Sequence, residues 1–380
     1  MNALKAPNTA VLTAMNRPTP WYRTTWFRWV IGIVIAIVLI VLPNVMPTLG
    51  NQTAARMLMW AVAVLGLNVI MGYTGQVSLG QIFFVGVGAY ATAITLKTEW
   101  AQSLGFLGAV IAFVLAIVVP GAMGFLIALA AARLKGLAIA MVTIALPIIG
   151  VPLAKRFSDL TGGYGGISVP STWFKAPEWT GLGSDPYAEW PYYLVLVISA
   201  AVFALTFFLV RGKYGRAFAI VKANEAVAAS MGISPYRTKV LAFTIASMIG
   251  GIGGFLYMVV VGYTSPDTMS FPQSINLVIA TIVGGAGSIV GSLLGGVYFV
   301  LVTQIPTALQ LSTYTTVIAG VVILLVLFLL PGGLSSLPRV IRRLASRGRV
   351  RSGGGNDSST KNVDDGTAVS IAGEPGNTKK

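Results

Sequence analysis

Apolar runs of the length that crosses a lipid bilayer as one helix, about 17–25 residues, recur through most of this chain. Inside a bilayer only helices and closed barrels satisfy their own backbone hydrogen bonds, and unbroken apolar runs of this length indicate helices. The sequence therefore predicts an all-α polytopic membrane protein. The apolar regions are Trp29–Met46, Ala54–Met71, Leu79–Leu96, Phe106–Ala132, Gly136–Ala154, Tyr192–Val210, Val240–Gly262, Ser274–Thr303 and Tyr314–Leu330.

The number of crossings depends on Ser274–Thr303, which glycines interrupt between Gly284 and Gly291. Lys and Arg collect in cytoplasmic loops, so the basic residues indicate orientation. If this region crosses twice, the basic tail returns to the cytoplasm and 21 of the 26 basic residues lie there. We therefore predict about ten transmembrane or half-membrane helices with both termini cytoplasmic.

The same assignment divides the chain into segments. Residues 1–28 form a basic cytoplasmic segment ahead of a retained first span, because no small-residue cleavage site follows that span. Residues 29–337 form the transmembrane domain, with an outside loop at about 155–191 and a polar cytoplasmic loop at about 211–239. The composition of residues 338–380 predicts a cytoplasmic tail that is first basic and then disordered.

Composition excludes several function classes. The chain has no Cys and no His, which removes thiolate metal sites, disulfides and histidine bases, and we expect no metal or cofactor. An intramembrane enzyme is least favoured, because no nucleophile and base pair occurs at membrane depth. The net charge is +15, and the basic residues that produce it lie between apolar spans and in the tail. This distribution argues against nucleic acid as a partner. No phosphate-binding loop motif is present, so the sequence gives no sign that this chain binds ATP.

The polar stretch Arg216–Phe243 carries the signals of a short helix of about two turns at the membrane surface. Asn224 can cap its N-terminus, and Glu225 suits the positive end of the helix dipole. Gly232 fits the left-handed position after the last turn, and Pro235 follows. On the residues alone, an ordinary interfacial connector explains this stretch equally well.

Two glycine clusters suggest backbone that bends within the membrane. The first, Gly72–Gln81, would place Thr74, Gln76, Ser78 and Gln81 toward protein, although an ordinary cytoplasmic turn is an alternative. In the second, Gly284–Gly291, two discontinuous helices would meet near the bilayer midplane and bind a zwitterionic solute with their ends, although close helix packing is an alternative.

These clusters and the polar loop together resemble branched-chain amino acid permeases of ABC importers, from about Leu65 to Leu337. Each motif is weak alone, but all occur in the family's order. The motifs are Gly72-Tyr73-x-Gly75-Gln76-x-Ser78-Leu79-Gly80-Gln81, Gly86-x-Gly88-Ala89-Tyr90, Thr161-Gly162-Gly163-Tyr164-Gly165-Gly166-Ile167, Tyr214-Gly215-Arg216-Ala217, Asn224-Glu225-Ala226 with Ala229 and Gly232, Lys239-x-x-Ala242-Phe243, Ser265-Pro266, Val283-Gly284-Gly285-x-Gly287-Ser288-x-x-Gly291 and Pro331-Gly332-Gly333-Leu334.

The resemblance implies the larger, second permease of a pair in a bacterial or archaeal plasma membrane. Its implied partners are cytoplasmic ATP-binding subunits, a paralogous permease, an extracytoplasmic solute-binding protein and membrane lipid. The implied ATPase-coupling residues are Arg216, Asn224, Glu225, Ala226, Ala229 and Gly232. The candidate residues of the translocation pathway are Thr74, Gln76, Ser78, Gln81, Ser274, Asn276, Gly284, Gly285 and Gly287.

Two alternatives remain open at this point. The resembled subfamily includes urea and short-chain amide permeases, so the solute is less constrained than the fold. A secondary transporter or channel is the alternative of another class, and we expect no ionisable residue deep within a span, which disfavours it. One departure from the family pattern is Ser292, where Pro is expected after Gly291.

Overall fold

The computed structural model describes residues 43, 48–134, 137–174, 189–308, 320–321, 324–326, 328, 330 and 332–337. The predicted N-terminal segment 1–28, almost all of the first span Trp29–Met46, the distal part of the outside loop, most of Tyr314–Leu330 and the tail 338–380 lie outside the described residues. The described residues are predominantly helical, which confirms the predicted class.

Twelve α-helices and one short strand pair form most of the described part of the chain. A π-helical turn, Val69–Tyr73, extends the first helix. The strands are β1 (Ile167–Ser168) and β2 (Tyr263–Thr264). The helices are α1 (Thr48–Asn68), α2 (Gln81–Lys97), α3 (Glu99–Leu104), α4 (Phe106–Ala131), α5 (Leu137–Arg156), α6 (Ser158–Thr161), α7 (Trp190–Arg211), α8 (Lys213–Ala223), α9 (Glu225–Ser230), α10 (Pro235–Val261), α11 (Phe271–Gly284) and α12 (Ile289–Ala308). Further described residues are helical at 320–321, 324–326 and 328, and Leu334–Ser336 form a 3-10 turn.

Five helices of the described part are long and apolar enough to cross a membrane: α1 with its π turn, α4, α5, α7 and α10. The apolar helices α2, α11 and α12 are shorter. The predicted spans match these helices to within a few residues. The largest differences are at the starts of α1 and α10. Helix α1 begins at Thr48 rather than Ala54, and α10 begins at Pro235 rather than Val240, because Ser234 caps a polar first turn that the apolar run does not include.

The core of the bundle surrounds α10, which packs against α1, α2 and α4. Small residues allow the helix backbones to touch. A side chain at Gly88 of α2 would collide with the backbone of Gly251 in α10, and one at Gly251 would collide with the Ala116 carbonyl of α4. Glycine at these positions therefore permits an approach that any larger residue would prevent.

The two ends of the bundle carry different structures. At one end β1 pairs with β2 in antiparallel register, with Ile167 opposite Thr264. Helix α10 begins beside α9 and ends beside β2, and its 27 residues make it about 40 Å long. We therefore call the end that holds β1 and β2 the strand end, and the end that holds α8 and α9 the coupling end.

The glycine-interrupted region forms an antiparallel helix pair. Gly284 of α11 lies against Gly291 and Gly295 of α12, and Gly295 lies against the Ala280 carbonyl. The pairs 284 with 291 and 280 with 295 show that the chain reverses direction. The predicted interruption is thus confirmed.

The turn between α11 and α12 is not where we expected it. The backbone N–H of Gly287 donates to the Asn68 side chain at 2.7 Å, beside the end of α1. Lys222 of α8 contacts the same end of α1. The turn therefore lies at the coupling end, and the expectation that the two helices meet near the midplane is wrong.

Candidate functional site

The polar loop forms two helices at the coupling end, and the second of them has well-defined caps. The Asn224 side-chain oxygen accepts hydrogen bonds from the backbone N–H groups of Ala226, at 2.8 Å, and Val227, at 3.3 Å. At the other end Gly232 adopts a φ of 78°, in the left-handed region that favours glycine. The predicted cap and the predicted left-handed glycine are both confirmed.

The C-terminus of α9 is closed by a Schellman motif. The backbone N–H of Ile233 donates to the Ala228 carbonyl at 2.9 Å, and that of Gly232 donates to the Ala229 carbonyl at 3.1 Å. These bonds satisfy carbonyls that a six-residue helix would otherwise leave to water. Both ends are therefore fixed by local contacts, and α9 has a defined orientation despite its length.

Helix α9 projects from the bundle. Ala228 is its only buried residue, whereas Ala226, Ala229 and the following Met231 are exposed. Arg216, the other predicted coupling residue, is exposed on α8. A projecting helix with apolar residues on its surface is suited to docking into a groove on another protein.

An ion pair fixes α9 to the core helix. Lys239 of α10 donates from Nζ to a Glu225 carboxylate oxygen at 2.6 Å. The Lys239 side chain is 4% exposed and that of Glu225 is 41% exposed, so the pair is partly shielded from water. The sequence showed Lys239 only as part of a motif. The sequence feature that could have identified Lys239 is its place near the start of the helix that follows Gly232. The chain reverses at Gly232, so this position can face Glu225 at the start of α9.

The predicted polar side chains of segment 74–81, which are Thr74, Gln76, Ser78 and Gln81, are buried and bond within the protein. Thr74 Oγ donates to the Ile70 carbonyl at 2.6 Å, and Gln76 Nε2 donates to Thr74 Oγ at 3.3 Å. Gln81 Nε2 donates to the Ala246 carbonyl of α10 at 2.8 Å. Ser78 is fully buried. These side chains face protein rather than lipid, as predicted, and they connect the segment to α10.

The structure brings only some of the other predicted pathway residues to this segment. Ser274 of α11 donates a short hydrogen bond to the Leu79 carbonyl. Asn276 lies on an exposed part of α11. Gly284 and Gly285 are buried in close backbone packing, and Gly287 lies in the turn at the coupling end. Close helix packing, which the sequence analysis gave as the alternative to a solute site, is therefore what the structure shows for Gly284 and Gly285.

One ionisable residue departs from expectation. Helix α1 begins at Thr48, six residues before the predicted span, and this places Arg56 about two turns into the helix. The Nε atom of Arg56 is buried. Arg56 therefore lies further from the start of the helix than the apolar run indicated, because that run placed the start at Ala54.

Comparison with known proteins decides the class. Residues 51–327 match the family model described as the permease component of the branched-chain amino acid transport system. The chain belongs to this permease family. The match includes α9, the polar segment 74–81 and the α11–α12 pair.

Individual relatives agree with the family. The LivM permease of the high-affinity branched-chain amino acid transport system of Salmonella typhimurium is 28% identical over 78% of this chain and 72% of its own length. The LivH permease of the corresponding Escherichia coli system is 24% identical over 74% of this chain and 92% of its own length. The autoinducer 2 import permease LsrC of an Enterobacter strain is 28% identical over 74% of this chain and 78% of its own length.

This branched-chain permease family member is therefore a permease subunit of an ABC importer in the inner membrane, of the larger LivM type. ATP hydrolysis in these importers is carried by separate subunits. Family membership implies ATP-binding partners, a solute-binding partner and a paired permease. The predicted family, class and location are confirmed.

Proposed function

We propose that this permease forms part of the pathway for branched-chain amino acids and receives the ATP-driven motion through α9. The observation that carries the coupling role is the projecting helix itself. It is capped at both ends, exposed along its apolar surface and joined to α10 by the Glu225–Lys239 ion pair. Such a helix can be displaced as a rigid unit by a protein that holds its exposed side.

The route from α9 into the membrane is short. Displacement of α9 pulls on Lys239, which is buried near the start of α10. Two turns further along α10, the Ala246 carbonyl accepts a hydrogen bond from Gln81 of the polar segment. Motion at α9 can therefore reach the buried polar groups through one helix and two polar contacts.

The proposed partners follow from the family. Cytoplasmic ATP-binding subunits hold α9, a paralogous permease completes the membrane pathway, and an extracytoplasmic protein delivers the solute. LivM and LivH are both named as permeases of one kind of transport system, which supports a pair of different chains. A dimer of two identical copies is the alternative arrangement.

We propose a branched-chain amino acid as the solute. The polar groups of the segment 74–81 and Ser274 could bind the charged end of a zwitterion, and the surrounding apolar helices could contact an aliphatic side chain. Urea would gain nothing from an apolar wall. The name of the relative LsrC indicates that a chain of similar sequence can serve a different solute.

Uptake measurements separate these solutes. Deletion of this permease should lower the accumulation of radiolabelled leucine, isoleucine and valine and leave urea accumulation unchanged. Re-expression of the chain should restore the lost uptake. Loss of urea uptake alone would show that the amino-acid assignment is wrong, while the permease class would stand.

The proposed topology has about ten crossings with both termini in the cytoplasm. The chain has no Cys, so single cysteines report their side of the membrane without interference from native thiols. Cysteines replacing Ser230 and Ser352 should be shielded from impermeant thiol reagents in intact cells, and one replacing Ser184 should react. Reaction of the Ser352→Cys variant from outside would contradict a cytoplasmic tail.

A further inference from the structure

Asn68 holds the turn between α11 and α12 by three hydrogen bonds. Its Oδ1 accepts from the Gly287 backbone N–H at 2.7 Å. Its Nδ2 donates to the Ser288 carbonyl and to Ser292 Oγ, both at 2.8 Å. Asn68 is fully buried, and it joins residues more than 200 positions apart in the sequence. Ser292, the departure from the family pattern noted above, supplies one of the acceptors.

The π turn that follows Asn68 is also held from the other side. Lys222 of α8 donates from Nζ to the Gly72 carbonyl at 2.6 Å. The aliphatic part of Lys222 lies close to Gly75, where a Cβ atom would stand 2.9 Å from Lys222 Cγ. The same π turn thus contacts the coupling region through a charged side chain.

Gly72 connects the two sets of contacts. A Cβ atom at this position would collide with Asn68 Oδ1 and with the backbone nitrogen of Gly287. The carbonyl that accepts the Lys222 hydrogen bond therefore belongs to a residue that lies directly against both the Asn68 side chain and the turn between α11 and α12. Single π turns occur often at functional positions in helices.

We propose that Lys222 and Asn68 are positioning residues that transmit displacement of the coupling region to the α11–α12 turn. The path runs from α8 through Lys222 to the Gly72 carbonyl, and from the π turn through Asn68 to Gly287, Ser288 and Ser292. This proposal rests on the proposed function of α9, because the displacement begins where the ATPase docks. It is independent of the Glu225–Lys239 pair, which leads to α10.

Hydrogen exchange measured by mass spectrometry can follow both ends of this path in one sample. The assembled importer is compared with and without a non-hydrolysable ATP analogue. The analogue should slow exchange in residues 225–232, where α9 docks, and should change exchange in residues 284–291. In a Lys222→Met variant the change in 284–291 should shrink about tenfold, because a lost hydrogen bond to a charged donor shifts an equilibrium by about that factor. The response of 225–232 should remain.

Two matched variants control for charge and for folding. Lys222→Arg keeps a cationic donor and should restore most of the response in 284–291. Lys213→Met removes the same charge from α8 at an exposed position and should leave the response as in the wild type. Assembly with the partner subunits is checked for each variant by size-exclusion chromatography.

The outcomes distinguish this proposal from the one it rests on. An equal response of residues 284–291 in the wild type and in Lys222→Met, with 225–232 protected in both, would overturn the path and leave the docking of α9 intact. Absence of protection at 225–232 in the wild type would instead overturn the docking proposal.

Discussion

Replacing Glu225 with Lys should abolish coupled transport and destabilise the chain. The new ammonium would face Lys239, whose side chain is 4% exposed and lies 2.6 Å from the present carboxylate. Like charges in a shielded site repel, and removing one partner leaves the buried charge without compensation. Because Glu225 is 41% exposed, we expect a loss of about 2 kcal/mol rather than the larger value of a fully buried pair. Thermal unfolding of the purified chain in detergent measures this loss.

A charge swap is the matched control. The double variant Glu225→Lys with Lys239→Glu restores opposite charges at the same two positions. It should recover most of the lost stability, since the coupling between paired residues is measured by the difference between double and single variants. If the single Glu225→Lys variant unfolded at the wild-type temperature, the ion pair would not hold α9.

Replacing Gly232 with Val should stop solute-stimulated ATP hydrolysis in the assembled importer. The left-handed conformation at Gly232 costs a β-branched residue about 1–2 kcal/mol, and a six-residue helix has little else to hold its end. The Schellman bonds to Ala228 and Ala229 would be lost, and the docking surface would change shape. Solute-stimulated and basal ATPase activities are measured side by side in proteoliposomes.

Asn at the same position provides the comparison. Asn tolerates the left-handed region better than other non-glycine residues, so Gly232→Asn should keep most of the stimulated activity. Nothing lies within 4 Å of a Cβ atom built at Gly232, and a steric clash therefore cannot explain a difference between the two variants. Normal stimulation in the Gly232→Val importer would remove the end of α9 from the mechanism.

The sequence predicted the helices of the bundle well, because apolar content over the length of a span is a local property. Helix starts were less accurate where polar residues lie in the first turn. Both α1 and α10 begin five or six residues before the apolar run, at Thr48 and Pro235. Apolar content alone does not detect a first turn that is fixed by a cap such as Ser234.

In the candidate site, contacts between sequence neighbours were predictable, and contacts between distant parts of the chain were not. The caps of α9 were predictable because Asn224 and Gly232 act on neighbouring backbone groups. The three hydrogen bonds of Asn68 could not be predicted from the sequence, because their partners lie more than 200 residues away along the chain. Residue types correctly indicated buried polar groups in the segment 74–81. Residue type alone did not show that Asn276, another candidate pathway residue, lies on an exposed part of α11.

The contact between Gly88 and Gly251 limits where a solute can travel. Two helices whose backbones touch leave no gap wide enough for an amino acid, and the Ala116 carbonyl of α4 closes the other side of Gly251. Separating them would expose close-packed surfaces along most of α10. In this conformation the space between α2, α4 and α10 is therefore closed at the level of Gly251, and an amino acid cannot pass between these three helices there.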